Sequence, residues 1–161
     1  MKLTSRGLLL LMGLGAAIGP VRMSSAQGIT FQSTDVTLVT QTGSYDFTVY
    51  VANNNASQTD RGLRYLHEIP PKGGLLLLQS QAAPTPMSVS TAGQALPVDL
   101  LFIASNGIVM EVHYCIPTDS DTAITSTSPV AAALELPCGS VTRYRILAGD
   151  KVTGGGIGRQ P

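Results

Sequence analysis

Residues 95–115, ALPVDLLFIASNGIVMEVHYC, contain the clearest strand and turn signals of the chain. The runs 98–103 and 108–115 have the length of β-strands, and their side chains fall alternately on two faces. Between these runs lies Asn106-Gly107, a dipeptide that supplies the positive φ angles of tight hairpin turns. We therefore expect a β-hairpin at the centre of the fold.

Apolar runs on either side of this hairpin predict further short strands. Residues 36–39 and 45–51 flank the turn sequence Thr42-Gly43-Ser44, and the second run alternates with a period of two, so they predict a second hairpin. Other short apolar runs bounded by turn residues also favour strands. These are residues 75–78, 87–90, 131–136 and 151–152.

One short helix is predicted in front of the LLLL run. Leu63, Leu66 and Ile69 recur at intervals of three, which indicates an amphipathic helix over 59–68. Pro70-Pro71 would end it, because the residue before a proline disfavours the helical conformation. Residues 141–147 fit either a helix or a strand.

These elements predict a mainly β fold, a single antiparallel barrel-like domain with one short helix; a sandwich is the alternative arrangement. The chain has 161 residues, which allows one domain with a real core but not two of ordinary size. We place this β domain at residues 27–152. The glycine-rich residues 153–161 are predicted to be a disordered tail.

Residues 1–26 are predicted to be a secretory signal peptide. Lys2 and Arg6 form a basic start, 7–19 is an apolar run, and Ser24-Ser25-Ala26 is a small-residue cleavage site. An uncleaved membrane anchor is the alternative, but the apolar run is shorter than the roughly 20 residues of a membrane span. We therefore expect a periplasmic or secreted protein, with no membrane span once the signal has been removed.

The charge of the mature chain argues against nucleic acid as a partner. Cleavage would remove Lys2, Arg6 and Arg22 from the ten basic residues, so seven would remain against ten acidic ones. Nucleic-acid binding requires a basic surface. The resulting net charge of about −3 is too small to imply a cationic partner.

Export would place the two cysteines, Cys115 and Cys138, in an oxidising compartment. An even number of cysteines there favours one disulfide. Two buried free thiols are the alternative. A zinc site is not predicted, because the spacing fits no known finger and no histidine pair accompanies the cysteines.

The ordered set of motifs resembles the bacterial and archaeal family known as domain of unknown function 192. The resemblance runs from about residue 47 to residue 152 and implies a compact, mainly β, barrel-like domain that is often exported; it implies no reaction. The matching segments are Arg61-Gly62-Leu63, Gly74-Leu75-Leu76-Leu77, the stretch LPVDLLFI at 96–103, Asn106-Gly107-Ile108-Val109, Ala133-Leu134-Glu135-Leu136 with Gly139, and Gly149-Asp150-Lys151-Val152.

Two segments depart from the pattern of this family. The family usually has Gly-Leu-Met with an arginine two residues later, whereas this chain reads Gly62-Leu63-Arg64-Tyr65-Leu66. The family's Trp-Met-Lys-Asn-Thr would fall on residues 90–94, STAGQ, where no position matches. A family site at that segment would be lost or altered in this protein.

Asp99 is the carboxylate that stands out, since it lies in an otherwise apolar strand. A buried acid without a partner would have a raised pKa, as candidate acid–base groups do. We favour the alternative that Asp99 is structural and accepts hydrogen bonds from the backbone or from Arg61 or Arg64. Asp99, Arg64 and Gln94 are our candidate ligand-binding residues, and no catalytic residue is assigned.

His113 shares a predicted strand face with Glu111, a pair that could contribute to a metal site. Two ligands do not make a site, so we predict neither metal nor cofactor. The sequence leaves enzymatic activity open and favours a non-enzymatic exported domain that binds a small ligand or an envelope protein. The alternative is a small hydrolase or lyase that uses Asp99 with His113 or His67.

Overall fold

The structure is a computed structural model that describes residues 32–53, 69–79, 84–118 and 122–157. Within these residues the chain forms nine strands and one short helix. They are β1 (Gln32–Thr40), β2 (Gly43–Asn53), β3 (Leu75–Leu78), β4 (Ser88–Val89), β5 (Val98–Ile103), β6 (Val109–Ile116), β7 (Ile124–Thr125), β8 (Ala132–Pro137), α1 (Ser140–Tyr144) and β9 (Lys151–Gly154).

Seven strands form one curled sheet in the order β6-β5-β8-β3-β2-β1-β9, which makes a mostly antiparallel half-barrel. The predicted fold class is therefore confirmed. The curl brings the two edge strands into contact at a bridge between Ile108 and Lys151. Around this bridge, the Val109 amide donates to the Asp150 carbonyl and the Val152 amide to the Gly107 carbonyl, each at 2.8 Å.

The central hairpin forms as its sequence predicts. β5 pairs with β6 in antiparallel register, and the turn between them contains Gly107 at φ +85°. The Asn106 side chain accepts a hydrogen bond from the Ile108 amide at 3.1 Å, which stabilises the turn. A side chain at Gly107 would collide with the Val152 carbonyl, so both the turn and the contact with β9 require glycine there.

The pairing of β2 with β3 differs from the antiparallel arrangement that we expected. Tyr50 lies opposite Leu75 and Ala52 opposite Leu77 in a parallel register. The chain reaches this arrangement through residues 54–74, a connection longer than the dozen or so residues that a parallel crossover requires. The predicted helix over 59–68 lies within this connection, outside the described residues.

The sheet carries apolar side chains on both faces, and we call the two sets the inner and the outer layer. All seven strands of the curled sheet and α1 contribute side chains to the inner layer. The outer layer lies on the other face of the sheet and also contains side chains from the small β4–β7 sheet. The inner layer includes Leu38, Phe47, Leu76, Leu101, Leu134, Leu136, Tyr144 and Val152. The outer layer includes Leu75, Leu77, Val89, Val98, Leu100, Phe102, Val130 and Ala133.

The end of the domain extends beyond the predicted boundary at residue 152. β9 pairs with β1 as far as Gly154, and Ile157 packs against the inner layer. Residues 158–161 and the predicted signal peptide lie outside the described residues. No helix in the described ranges has the length and the apolar character that a membrane span requires.

A disulfide joins Cys115 and Cys138, as predicted, with their Cα atoms 4.6 Å apart. It links the end of β6 to the turn after β8. Both cysteines are exposed, so replacing them by serine creates no buried cavity.

We expect the Cys115→Ser/Cys138→Ser double variant to lose about 3 kcal/mol of unfolding free energy, because the crosslink no longer restricts the unfolded chain. Urea denaturation of the variant and of oxidised wild type measures this difference. Reduced wild type is the matched control and should unfold like the double variant. Two titratable thiols in the native oxidised protein would contradict the pairing.

Candidate functional site

Asp99 lies in β5 and is almost fully buried, with 1% of its surface exposed. Its Oδ1 accepts a hydrogen bond from the Cys115 amide and its Oδ2 one from the Val141 amide, both at 2.7 Å. The carboxylate thereby ties the end of β6 to the first turn of α1. These are backbone hydrogen bonds of the kind that we expected for a structural Asp99, and its role in ligand binding stays a prediction.

The structure does not bring Asp99 and His113 together. Asp99 lies opposite Leu136, on the face of the inner layer, whereas His113 lies opposite Leu100, on the face of the outer layer. The two side chains therefore point to opposite faces of the sheet. His67 lies outside the described residues, as does Arg64, whose role in ligand binding stays a prediction.

His113 and Glu111 lie together at the edge of the outer layer. Glu111 Oε1 accepts hydrogen bonds from the amide and the hydroxyl of Thr127, each at 2.7 Å, and Glu111 Oε2 is 3.5 Å from His113 Nε2. The pKa of Glu111 is raised by desolvation, but the Thr127 bonds and His113 outweigh this effect and leave the pKa below its usual value. Among the described residues, no three metal-binding side chains cluster.

A second buried carboxylate, Glu135, lies in β8 with 1% of its surface exposed. It is placed between Leu100 of β5 and Leu75 of β3, both in the outer layer. Gln94 Nε2 is 3.3 Å from Glu135 Oε1 and 3.2 Å from Oε2. Two polar side chains thus meet inside an apolar layer.

Gln94 is held in place by a turn between β4 and β5. The backbone N–H of Gln94 donates to the Thr91 carbonyl at 2.9 Å, and Gly93, inside the turn, has a φ of +73°. The Thr91 hydroxyl in turn donates to the Pro117 carbonyl at 3.0 Å. This turn occupies the segment in which the chain departs from the family pattern. The turn therefore buries Gln94, with 5% exposed, against Glu135.

Desolvation raises the pKa of Glu135 to about 7, although the hydrogen bond from Gln94 acts in the opposite direction. Gln94 Oε1 is buried and has no hydrogen-bond partner in the part of the chain that the structure describes. The pair therefore combines a carboxyl that titrates near neutrality with an acceptor that is left unsatisfied, and unsatisfied buried groups of this kind mark candidate sites.

A cleft of about 290 Å³ lies where β8 ends and α1 begins, and neither Gln94 nor Glu135 is among the residues that line it. Pro137, in its lining, lies two residues beyond Glu135 on the same face of β8, and Ile69 packs against the outer layer. Arg143 of α1 supplies a cation to the lining. The other members are Pro71, Cys138, Gly139 and Ser140.

Our sequence prediction selected Gln94 but missed Glu135. The glutamate in ALELP is also compatible with the solvent-facing position of an ordinary half-buried strand. The signal that could have identified Glu135 is that all the remaining residues of this strand are apolar.

The curled sheet and its two apolar layers define a small β half-barrel domain. The family model described as DUF192, uncharacterized ACR, matches residues 37–154. The chain therefore belongs to the DUF192 family, as its motifs predicted.

Two solved structures share this fold. A protein from Sinorhizobium meliloti 1021, provisionally described as a transcription regulator, is 33% identical, with a TM-score of 0.75 over 81% of this chain and 99% of that one. A protein of unknown function from Novosphingobium aromaticivorans DSM 12444 is 25% identical, with a TM-score of 0.72 over 87% of this chain and 94% of that one. A search of the curated proteins found no match.

We expect Asp99→Asn to lower the unfolding free energy by about 1–3 kcal/mol. The asparagine NH₂ would replace one carboxylate oxygen, so one of the two backbone N–H groups that now donate to Asp99 would face another donor. Urea denaturation measures the change. Asp46→Asn is the control, since Asp46 is exposed and, within the described ranges, accepts a side-chain hydrogen bond from the Thr37 hydroxyl alone. Equal stability of the two variants would contradict the role of Asp99.

Glu135 should make the protein less stable as the pH rises. In the folded state the pKa of Glu135 is raised from the ordinary 4.5 to about 7. Its contribution to the free energy of unfolding is therefore fully present below pH 4.5 and is lost as the pH rises to about 7. The loss amounts to about 3 kcal/mol. We expect Glu135→Gln to abolish this slope, measured by thermal unfolding across the pH range.

Glu111→Gln is the matched control for this pH experiment. The pKa of Glu111 lies below its usual value, so its contribution to the free energy of unfolding is lost as the pH falls. The contribution of Glu135 is instead lost as the pH rises. A Glu135→Gln variant that keeps the slope of the wild type would show that Glu135 does not titrate near neutrality.

Proposed function

We propose that the protein is exported and acts as a non-enzymatic binding module for a small ligand, at the outer layer beside Gln94 and Glu135. The observation that carries this proposal is the buried Gln94 Oε1, which lies next to a buried carboxyl and has no hydrogen-bond partner among the described residues. A buried polar atom left without a partner costs free energy, and a bound ligand would remove that cost. An envelope protein is the alternative partner.

The alternative hydrolase or lyase finds less support. Both oxygens of Asp99 accept backbone hydrogen bonds, and a general base needs a free oxygen within reach of a substrate proton. His113 faces the other side of the sheet. The geometry of Asp99 therefore favours a role in stability over a role in turnover.

Export is supported by the signal-like residues 1–26 and by the disulfide, because disulfides persist in oxidising compartments. The provisional description of the Sinorhizobium protein as a transcription regulator would suggest DNA binding. The mature chain, with seven basic and ten acidic residues, lacks the basic excess that such binding requires. We therefore do not extend that role to this protein.

Expression of the full chain in a bacterial host, followed by intact mass measurement of the periplasmic fraction, tests export. We expect the mature protein to begin at or near Gln27. Exported protein that retains Met1 and Lys2 would contradict cleavage, and protein confined to the cytoplasm would contradict export.

Saturation-transfer NMR with a library of neutral, anionic and cationic fragments tests binding. We expect ligands whose signals persist in Glu111→Gln but disappear in Gln94→Leu, because leucine fills the same space without the amide. Absence of any ligand in the library, or ligands that are insensitive to Gln94→Leu, would contradict the proposal. Turnover of a ligand that is lost in a stably folded Asp99→Asn would favour the hydrolase instead.

A further inference from the structure

We propose that the Cys115–Cys138 disulfide is a site of thiol–disulfide exchange, at which a small thiol that bears a carboxylate attacks Cys138 from the cleft beside Arg143. The site does not involve Gln94 or Glu135 and therefore goes beyond the proposed binding function. The exposure of the disulfide, the residues that line the cleft and the contacts around the crosslink carry this inference.

The crosslink lies at the surface of the domain. Both cysteines are exposed, and exposed or strained disulfides exchange more readily than buried ones. Cys115 is also held at a φ of +39°, in the left-handed region that residues with a side chain disfavour. We therefore expect an attacking thiolate to reach this disulfide in the folded protein.

The cleft determines which of the two sulfurs is attacked. Cys138 belongs to the lining of the cleft of about 290 Å³, whereas Cys115 is not among its lining residues. A thiolate attacks one sulfur of a disulfide and expels the other as a thiolate. A thiol that enters the cleft therefore attacks Cys138, and Cys115 is the leaving group.

The exchange needs no oxidant or reductant besides the small thiol. Its thiolate forms a bond to Cys138 Sγ, the bond between the two cysteines breaks, and Cys115 Sγ leaves as a thiolate that takes up a proton from water. The product is a mixed disulfide at Cys138 and a free thiol at Cys115. A second molecule of the same thiol would then release Cys138 and form the symmetrical disulfide of the small thiol.

The other residues of the lining select the kind of thiol. Arg143 places a cation in the lining, and a guanidinium forms charge-assisted hydrogen bonds with a carboxylate. Ile69, Pro71 and Pro137 offer apolar surface to a short carbon chain. A thiol joined to a carboxylate by such a chain therefore suits the cleft better than a neutral or a cationic thiol of similar length.

The carboxylate of Asp99 keeps the fold in place when the crosslink opens. It accepts hydrogen bonds from the Cys115 amide at the end of β6 and from the Val141 amide in α1. The two segments thus stay joined without the covalent bond. We therefore expect the mixed disulfide to form without unfolding of the domain.

Treatment of the oxidised full-length mature protein with three thiols of similar size tests the site. They are 3-mercaptopropionate, 2-mercaptoethanol and 2-aminoethanethiol, whose far ends are anionic, neutral and cationic. Acid quenching followed by N-ethylmaleimide traps the products, and cleavage after Glu135 separates the two cysteines for mass spectrometry. We expect the small thiol on Cys138 and the maleimide on Cys115.

Arg143→Gln tests the selection of the thiol. Each thiol is compared between this variant and wild type, so the intrinsic reactivity of the thiol cancels. We expect 3-mercaptopropionate to react at least about threefold more slowly with the variant, 2-mercaptoethanol equally fast and 2-aminoethanethiol faster. Arg145→Gln is the matched control and should keep rates close to those of wild type, because Arg145 follows α1 directly but does not line the cleft.

Several outcomes would overturn this inference. They are a small thiol found on Cys115, a folded protein that does not react with 3-mercaptopropionate, and an Arg143→Gln variant that slows all three thiols equally or none of them. Circular dichroism during the reaction should keep the signal of the folded state, and its loss before exchange would show that only unfolded chains react. The fragment screen with Gln94→Leu is a separate measurement, so failure here leaves the proposed binding function standing.

Discussion

The carboxylate of Asp99 is the constraint on which much of this structure depends. It is buried within β5, and its two oxygens hold the Cys115 amide of β6 and the Val141 amide of α1. Cys115 has a φ of +39°, and the β5–β6 register shifts between Val98 and Leu100, beside Asp99. The disulfide then crosslinks the end of β6 to the turn that leads from β8 into α1. One short region thus joins the central hairpin, α1 and the turn after β8.

The two buried carboxylates of the sheet show how environment separates structural from functional groups. Asp99 has a backbone donor for each oxygen, so it is complete without any ligand. Glu135 is equally buried, but among the described residues it meets a single side-chain amide, and desolvation raises its pKa to about 7. The same chemical group therefore acts as an internal tie on one face of the sheet and as a candidate recognition element on the other.

The sequence allowed much of the fold to be predicted but only part of the site. The hairpins follow from period-two patterns and from Asn106-Gly107, which are local signals. The parallel pairing of β2 with β3 depends on which distant strands meet, and no local pattern reports this. Asp99 was recognised because it interrupts an apolar run. Glu135 was not, because its burial depends on the separate β4–β5 turn that carries Gln94.

The closure of the sheet has a consequence for how the chain acquires its shape. β1 pairs with β2 through a two-residue turn, but its other neighbour is β9, at the far end of the domain. The half-barrel is therefore incomplete until nearly the whole chain is available, and such non-local pairing slows folding. A chain truncated before Lys151 would leave β1 as a bare strand edge, a template for aggregation. The last strand thus protects the first.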